Sequence, residues 1–388
     1  MTRRSPRSRL GVAVVGFGWM GQVHARAYSR VLQHYPDLAV APSLVVVADP
    51  EQERLDDAVS RFGFEAATTS WQAVLTDDRV EAVSVTAPNF LHREIGEAVA
   101  RAGKHLWIEK PVGLSLADAE SVAAAVSESG VQSAVGFNYR NAPAVSHARN
   151  LVAQGAIGRV TNARFRLLTD YAAHPHGALT WRFQRDRGGS GVLGDLVSHG
   201  VDLARHLLGP IESLVADTAV FIDERPRPSG AANHFALAEG GEPGPVENED
   251  YLSCLLQFAG GARGSLEASR TSVGDQCTYG FEIHGTTGAL SWDFRRMGEL
   301  GVSVGEGYLD QTVQTTFVGP GTGEAGAFQP GAGIALSYDD LKVIEAARFL
   351  QSIADGGPPG ATVEDAVHSA RALDAMTRSV AERAWVTL

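Results

Sequence analysis

Lys110 stands in "IEKPVG" (108–113), between Glu109 and Pro111, at the end of an apolar run. A lysine so placed can stabilise an oxygen that gains negative charge during a reaction. A single lysine read by itself is a solvated surface charge. In "GGSGVLGDLVSHGVDLARHLLG" (188–209), Asp195, His199 and Asp202 follow one another at i, i+4 and i+7. A regular helix would place all three on one face. A carboxylate beside an imidazole holds its tautomer and favours its charged form, which suits a general base. On a helix surface the same pair would be an ion pair worth about 0.2–0.5 kcal/mol, and the segment by itself does not choose between the two. His206 lies nearer the helix end and reads as structural.

A third group is Gly16-Phe17-Gly18-Trp19-Met20-Gly21, which fits G-x-G-x-x-G. It follows a β-branched run, "GVAVVG", and opens a helical pattern, the context a dinucleotide site requires. Gly16 permits the tight turn, Gly18 lets backbone amides approach a pyrophosphate, and Gly21 lets helix and strand pack closely. The next strand, "LVVVAD" (44–49), ends in Asp49. An acid there accepts hydrogen bonds from a ribose diol and repels a 2′-phosphate, so NAD is expected over NADP. Arg54, on the following helix, is the cation that could turn toward a phosphate instead. The spacing from Gly21 to Asp49 exceeds the usual ~20 residues, and "YPDLAVAPS" (35–43) reads as the insertion. Without the glycine turn, Asp49 would read as a helix N-cap.

No metal site is expected. His174, His176 and His199 are the histidines near one another, with no H-E-x-x-H or cysteine pair beside them. No G-x-S-x-G elbow is present, which argues against a serine hydrolase.

Strands and helices must position these groups, and the first third of the chain alternates them. Strand-like runs at 11–16, 44–49, 82–88, 105–110 and 132–139 are separated by helical patterns such as 51–63, 92–103 and 115–130. This βαβ rhythm predicts an α/β Rossmann domain with a parallel sheet. Ligands bind at the carboxyl ends of such strands. That rule places Thr86, Pro88 and Asn89, at the end of "AVSVTAP", in the cofactor groove, and puts Lys110 at the same edge. His92 reads either as cofactor contact or as a capping or surface residue. Pro111 is a candidate for a cis peptide bond.

After about residue 140 the rhythm changes to helical 143–155, strand-like 160–168, a helix over 192–208, and strand-like 213–222, 251–259, 262–270 and 279–286. Helical patterns over 339–355 and 363–383 close the chain. This half predicts an α+β domain with a large, mostly antiparallel open sheet. The expected boundaries are a disordered tail over 1–9, a cofactor domain over 10–137 and a substrate and oligomerisation domain over 138–388, whose last helices could pack back on the first domain. Two Gly- and Pro-rich stretches, 223–250 and 318–336, read as long functional loops.

The chain has 388 residues and a formal net charge of −12, which argues against nucleic acid or an anionic membrane as the main partner. No apolar run is long enough for a membrane helix. Two cysteines, Cys254 and Cys277, fit reduced thiols in a cytoplasmic protein. "MTRRSPRSRL" reads as a basic tail rather than an export signal.

Together "GFGWMG", "TAPNFLH", "EKPVG", "GFNYR" (136–140) and "WRFQRDRGGSGVLGDLVSHGVDLARHLLG" (181–209) resemble the glucose–fructose oxidoreductase/inositol dehydrogenase (Gfo/Idh/MocA) family. The resemblance covers the chain after its tail. "LTWRF" (179–183) and "LEASR" (266–270) are similar to its levoglucosan, glycoside and cyclitol dehydrogenase branch. The resemblance implies catalytic roles for Lys110, Asp195 and His199, with Lys110 near the nicotinamide. It implies cofactor contacts from Gly16, Phe17, Gly18, Trp19, Met20, Asp49, Thr86, Pro88, Asn89, His92, Glu109, Lys110, Trp181 and Arg182. It places Tyr139, Arg140 and His176 near substrate, together with the catalytic three. It also implies oxidation of a ring secondary alcohol by NAD and a homodimer or homotetramer built through the open sheet. A reductase of a ketosugar running the same chemistry backwards, and a non-catalytic dinucleotide sensor, are the alternatives.

Overall fold

The first strand, β1 (Ser8–Val15), is buried over its last six residues, the mark of a strand covered on both faces. It begins inside the stretch expected to be a disordered tail. Ser8 and Arg9 pair with Val40 and Ala41, and Arg7 Nε donates to the Leu38 carbonyl at 3.0 Å. The expected insertion at 35–43 supplies this partner: the second strand starts at Val40, and the extra chain lengthens the sheet. The computed structural model describes residues 7–230, 235–238, 240–357 and 359–388.

Contacts divide the chain into two units, Met1–Asn141 with Leu336–Val367, and Ala142–Ala335 with His368–Leu388. In the first, β1 is followed by α1 (Trp19–His34), β2 (Val40–Ala48), α2 (Gln52–Asp57), β3 (Ala66–Thr68), α3 (Gln72–Leu75), β4 (Ala82–Val85), α4 (Asn89–Arg101), β5 (His105–Ile108), α5 (Leu116–Ser129) and β6 (Ser133–Val135). The sheet order is β3-β2-β1-β4-β5-β6, and every pairing is parallel. Ser115 caps α5 by accepting from Asp118 N, and Gly130 ends it in the left-handed conformation. The strand expected over 132–139 is short. Past Val135, whose amide donates to the Ala361 carbonyl, the chain turns into a 3-10 segment over Asn138–Asn141.

The second unit contains α6 (Pro143–Ala153), β7 (Val160–Leu168), α7 (Arg185–Gly188), α8 (Ser198–Leu208), β8 (Ile211–Ala219), β9 (Glu224–Pro226), β10 (Pro243–Pro245), β11 (Tyr251–Phe258), β12 (Arg263–Ser269), β13 (Thr278–Gly285), β14 (Gly288–Asp293), β15 (Glu299–Val304) and β16 (Gln314–Phe317). The chain then forms α9 (Tyr338–Asp355) in the first unit, α10 (Val363–Glu382), and β17 (Val386–Thr387), which pairs with β8 in the second. The nine-stranded sheet runs β16-β15-β14-β13-β7-β12-β11-β8-β17. It is antiparallel apart from β7 and β12. Burial alternates along β11 and through most of β7, so one face meets helices and the other stays open. Gly200 of α8 packs against Leu167 and Leu266 of the covered face. The 223–250 stretch is not wholly irregular: β9 and β10 pair as a small ribbon.

Candidate active site

In the first unit the glycine turn has the shape the motif requires. Gly16 sits at φ +88°, and a Cβ there would meet Ala87 N at 2.7 Å. Thr86 Oγ1 donates to the Gly16 carbonyl, so the end of β4 holds the turn. A Cβ on Gly21 would lie 2.2 Å from the Gly16 carbonyl oxygen, whereas one on Gly18 would meet nothing within 4 Å. Gly18 is the N-cap of α1, with no side chain capping it and no acid in the first turn. The first-turn amides of this 16-residue helix therefore have no side-chain cap. This cradle fits a pyrophosphate, whose charge the helix N-terminus favours.

Phe17 N donates to Asp49 Oδ2 at 2.6 Å, and Glu51 N donates to Oδ1 at 2.9 Å. Arg54 Nη1 stands 3.4 Å from both oxygens. Asp49 is thus buried and partly engaged, but a carboxylate has about four acceptor positions, leaving capacity for a diol. Arg54 is drawn to Asp49. Phe17 itself is buried against Phe62 and Phe64. Trp19 is 58% exposed and stacks on Tyr338, whose hydroxyl approaches Met20 Sδ at 3.7 Å. Pro88 is the N-cap of α4 and Asn89 its first residue.

Two residues named for the cofactor groove turn their side chains into the core. Glu109 turns its carboxylate into the core, where Oε1 accepts from His24 Nε2 at 3.0 Å and from Lys342 Nζ. His92 is buried, with Nδ1 and Nε2 each 2.7 Å from a main-chain oxygen, those of Pro111 and Ala87. Glu109 was expected as a cofactor contact from the family resemblance, and His92 either as a cofactor contact or as a capping or surface residue; the structure shows the direction of both side chains. Lys110, between them in the fold, is half-buried just past the carboxyl end of β5, and the Lys110–Pro111 bond is cis. Tyr139 and Arg140 lie in the 3-10 turn and are buried, and Arg140 pairs with Asp365 at 3.0 Å.

Sequence reasoning missed Lys342 and Glu345. Their signal was a lysine and a glutamate three residues apart inside an apolar run, "LKVIEAARFL". Lys342 is 0% exposed and also contacts Glu345 at 2.9 Å; Trp107 Nε1 donates to Glu345 at 2.7 Å. His24, Glu109 and Glu345 are the group among the described residues that could converge on a metal ion. The Lys342 ammonium contacts both carboxylates, so the cluster already contains its cation. Burial lowers the His24 pKa to about 4, against the pull of Glu109. The ring is therefore neutral near pH 7 and donates from Nε2, and its Nδ1 makes no hydrogen bond. Burial opposes ionisation of Glu109, but Lys342 and His24 outweigh it and hold the carboxyl below the usual range. Burial and the Glu109 charge push Glu345 up to about 7, against the pull of Lys342.

In the second unit, the expected regular helix over Asp195 and His199 is interrupted. Leu193–Val197 is a π-helical turn, and α8 begins at Ser198. A π turn widens the residue spacing and is common at functional sites, so the i, i+4 expectation does not transfer unchanged. Asp195 Oδ2 accepts from the Tyr171 hydroxyl at 2.7 Å, and Oδ1 lies 3.8 Å from Arg182 Nη1. Arg182 also lies over the Trp181 ring at 4.6 Å. Burial and the Asp195 charge raise the Tyr171 pKa, so its hydroxyl stays a donor. His199 is 6% exposed and Asp202 3%. His176 is exposed on the 171–178 loop, with His174 beside it. Arg225 secures that loop by donating to the His174 and Ala172 carbonyls. Tyr171 was missed, although His176 on the same loop was named.

Residues 10–137 match the model of the oxidoreductase family with an NAD-binding Rossmann fold, and 145–291 match the GFO/IDH/MocA C-terminal domain. The chain is 36% identical over 380 residues to levoglucosan dehydrogenase of Pseudarthrobacter phenanthrenivorans, covering 97% of each. It belongs to the Gfo/Idh/MocA family. It is also 27% identical over 384 residues to inositol 2-dehydrogenase of Rhizobium meliloti, covering 97% of this chain and 98% of that one. Its fold superposes on a levoglucosan dehydrogenase solved with NADH and levoglucosan, with a TM-score of 0.92, 34% identity, and coverage of 98% of this chain and 99% of the other. The first unit is thus the NAD-binding Rossmann domain of a Gfo/Idh/MocA oxidoreductase, in a family that includes sugar and cyclitol dehydrogenases. No helix among the described residues is long and apolar enough to cross a membrane.

Proposed function

We propose that the protein oxidises a secondary hydroxyl of a sugar, glycoside, anhydrosugar or cyclitol ring to the ketone, using NAD rather than NADP. The observation that carries this reading lies within one unit. An uncapped helix behind a glycine turn follows β1, and Lys110 follows β5, so both lie at the carboxyl edge of one parallel sheet. Asp49 supports NAD, because its buried carboxylate lies where a 2′-phosphate would need a cation and holds Arg54 to itself.

The nicotinamide, when bound, supplies the hydride acceptor. The protein's own groups handle the oxygen and its proton. His199 takes the hydroxyl proton as the carbinol hydrogen departs with its electron pair. Lys110 donates to the same oxygen and stabilises its alkoxide character. Asp195 supports the charge that develops on the imidazole, with Tyr171 holding one of its oxygens in place. Proton and hydride together account for the two electrons and two hydrogens lost by the alcohol. Tyr139, Arg140, His176, Trp181 and Arg182 are proposed to shape the substrate and nicotinamide surroundings. We further propose a cytoplasmic enzyme that assembles through the open face of the nine-stranded sheet.

The test is a panel of levoglucosan, myo-inositol, scyllo-inositol and free monosaccharides, each offered with NAD and NADP in parallel. Reduction of NAD by at least one ring alcohol, faster than reduction of NADP, is expected. Tight NADH binding without turnover of any ring alcohol or its ketone would count against the reading. Turnover confined to ketone and NADH would favour the reductase.

A further inference from the structure

We infer that His24, Glu109 and Lys342 on one side, and His92 on the other, form a buried clamp that aims Lys110; these are positioning residues. The inference rests on the reading of Lys110 as the group that acts on the substrate oxygen. The residue before Lys110 and the residue after it are each tied to the core. Glu109 is fixed by His24 Nε2 at 3.0 Å and by Lys342 Nζ. Its amide donates to the Val85 carbonyl at 2.9 Å. His24 is itself stacked on Trp107 of β5, with ring centroids 3.7 Å apart. Lys342 is anchored a second time by Glu345, which also takes the Trp107 indole N–H and, at 3.4 Å, Asn141 Nδ2. Beyond the lysine, the Pro111 carbonyl lies 2.7 Å from His92 Nδ1, and His92 Nε2 lies 2.7 Å from the Ala87 carbonyl. Both oxygens accept, so His92 ties the turn after Lys110 to the chain that leaves β4 through two N–H groups only as the imidazolium, a form that burial disfavours and these two carbonyls favour; the neutral ring donates to one of them.

Stability alone is a poor account of this arrangement. Each buried ion costs several kcal/mol of desolvation, and apolar residues of similar volume often match or exceed a buried ion pair in stability. What the charges supply is position. A carboxylate with two directional donors cannot slide, and a lysine whose neighbours on both sides are fixed keeps its main chain still. Its long side chain then samples a narrower region. Room for the carboxylate is also provided: a Cβ on Gly136 would lie 2.4 Å from both Glu109 oxygens.

The experiment separates position from stability and from the chemistry of Lys110. Glu109→Gln/Lys342→Met removes the charge pair while keeping its volume, and His92→Gln loosens the other side. Hydrogen exchange of peptide 108–113 is read with NADH affinity and with turnover, in wild type, in these variants and on a Lys110→Met background. The clamp predicts at least tenfold faster exchange over 108–113 with other segments of the unit unchanged. It also predicts NADH affinity within twofold and turnover at least tenfold lower, with no further loss when Lys110 is already Met. Wild-type protection of 108–113 in both variants would overturn it, as would a turnover loss of equal size on the Lys110→Met background. If Lys110→Met itself keeps full turnover, the proposed chemistry fails while the exchange data still judge the clamp.

Discussion

Gly136→Ala tests the packing beneath Lys110 by adding one methyl group. A Cβ at 136 would lie 2.4 Å from each Glu109 carboxylate oxygen and 2.5 Å from the carboxyl carbon. Ordinary contacts of this kind lie about 1 Å further apart. The carboxylate cannot swing aside freely, because His24 and Lys342 hold Oε1. If the core absorbs the strain, overpacking costs about 1–3 kcal/mol. If instead Glu109 is expelled, Lys342 loses one of its two carboxylates, and breaking a buried pair costs about 3–5 kcal/mol. The folded state takes the cheaper route, so the expected loss is about 1–3 kcal/mol. Urea unfolding followed by tryptophan fluorescence measures it, since Trp107 lies in this core and is wholly buried. With m of about 1–3 kcal/mol/M, the midpoint of the first unit should fall by roughly 1 M with little change in slope. Glu109→Ala removes the atoms that clash, so adding Gly136→Ala to it should cost less than about 1 kcal/mol. A loss below about 0.5 kcal/mol in the single variant, or an equal increment on the Glu109→Ala background, would refute the reasoning.

Gly18→Ala has open space for its Cβ and an ordinary φ of −71°. It should leave the stability of the free protein within about 0.5 kcal/mol yet weaken NADH binding at least tenfold by calorimetry, if the pyrophosphate approaches that backbone; unchanged affinity would contradict the cradle. Glu345 binds a proton in the folded state up to about pH 7, whereas an unfolded glutamate loses it near pH ~4.3. Between those values the folded state holds more protons, so stability should fall as pH rises, by on the order of a few kcal/mol. Glu345→Gln should flatten that slope in urea midpoints measured across the window, and an unaltered slope would show that another group is responsible.

The parts of the fold that could be read in sequence were those with strong periodicity. The Rossmann strands were visible because parallel, doubly covered strands are continuous apolar runs, and Gly63 and Gly103, which close the helical patterns over 51–63 and 92–103, both lie at positive φ. β3, β14, β15 and β16 were not marked out, because they are short or glycine-containing and gain their order from neighbours in the sheet. The start of β1 was misplaced because basic Ser8–Arg9 looks like tail, while its partner Val40–Ala41 is thirty-odd residues away. The position of Lys110, just past the end of β5, was legible from its strand-like run. The inward direction of the Glu109 and His92 side chains was not legible, because a strand end fixes where a residue is, whereas its partners decide where it points. Lys342 and His24 have no sequence proximity to Lys110, so only the fold brings them beneath it. The π turn at Leu193–Val197 is equally invisible in helix periodicity, and it is where Asp195 meets Tyr171.

The most direct test of the central claim is single-turnover NADH formation by Lys110→Ala and His199→Ala, with a ring alcohol that the wild-type enzyme oxidises. The account predicts rates lower by about 10²–10³ or more in each variant, with NADH affinity retained. Rates within a few-fold of wild type in both would contradict it.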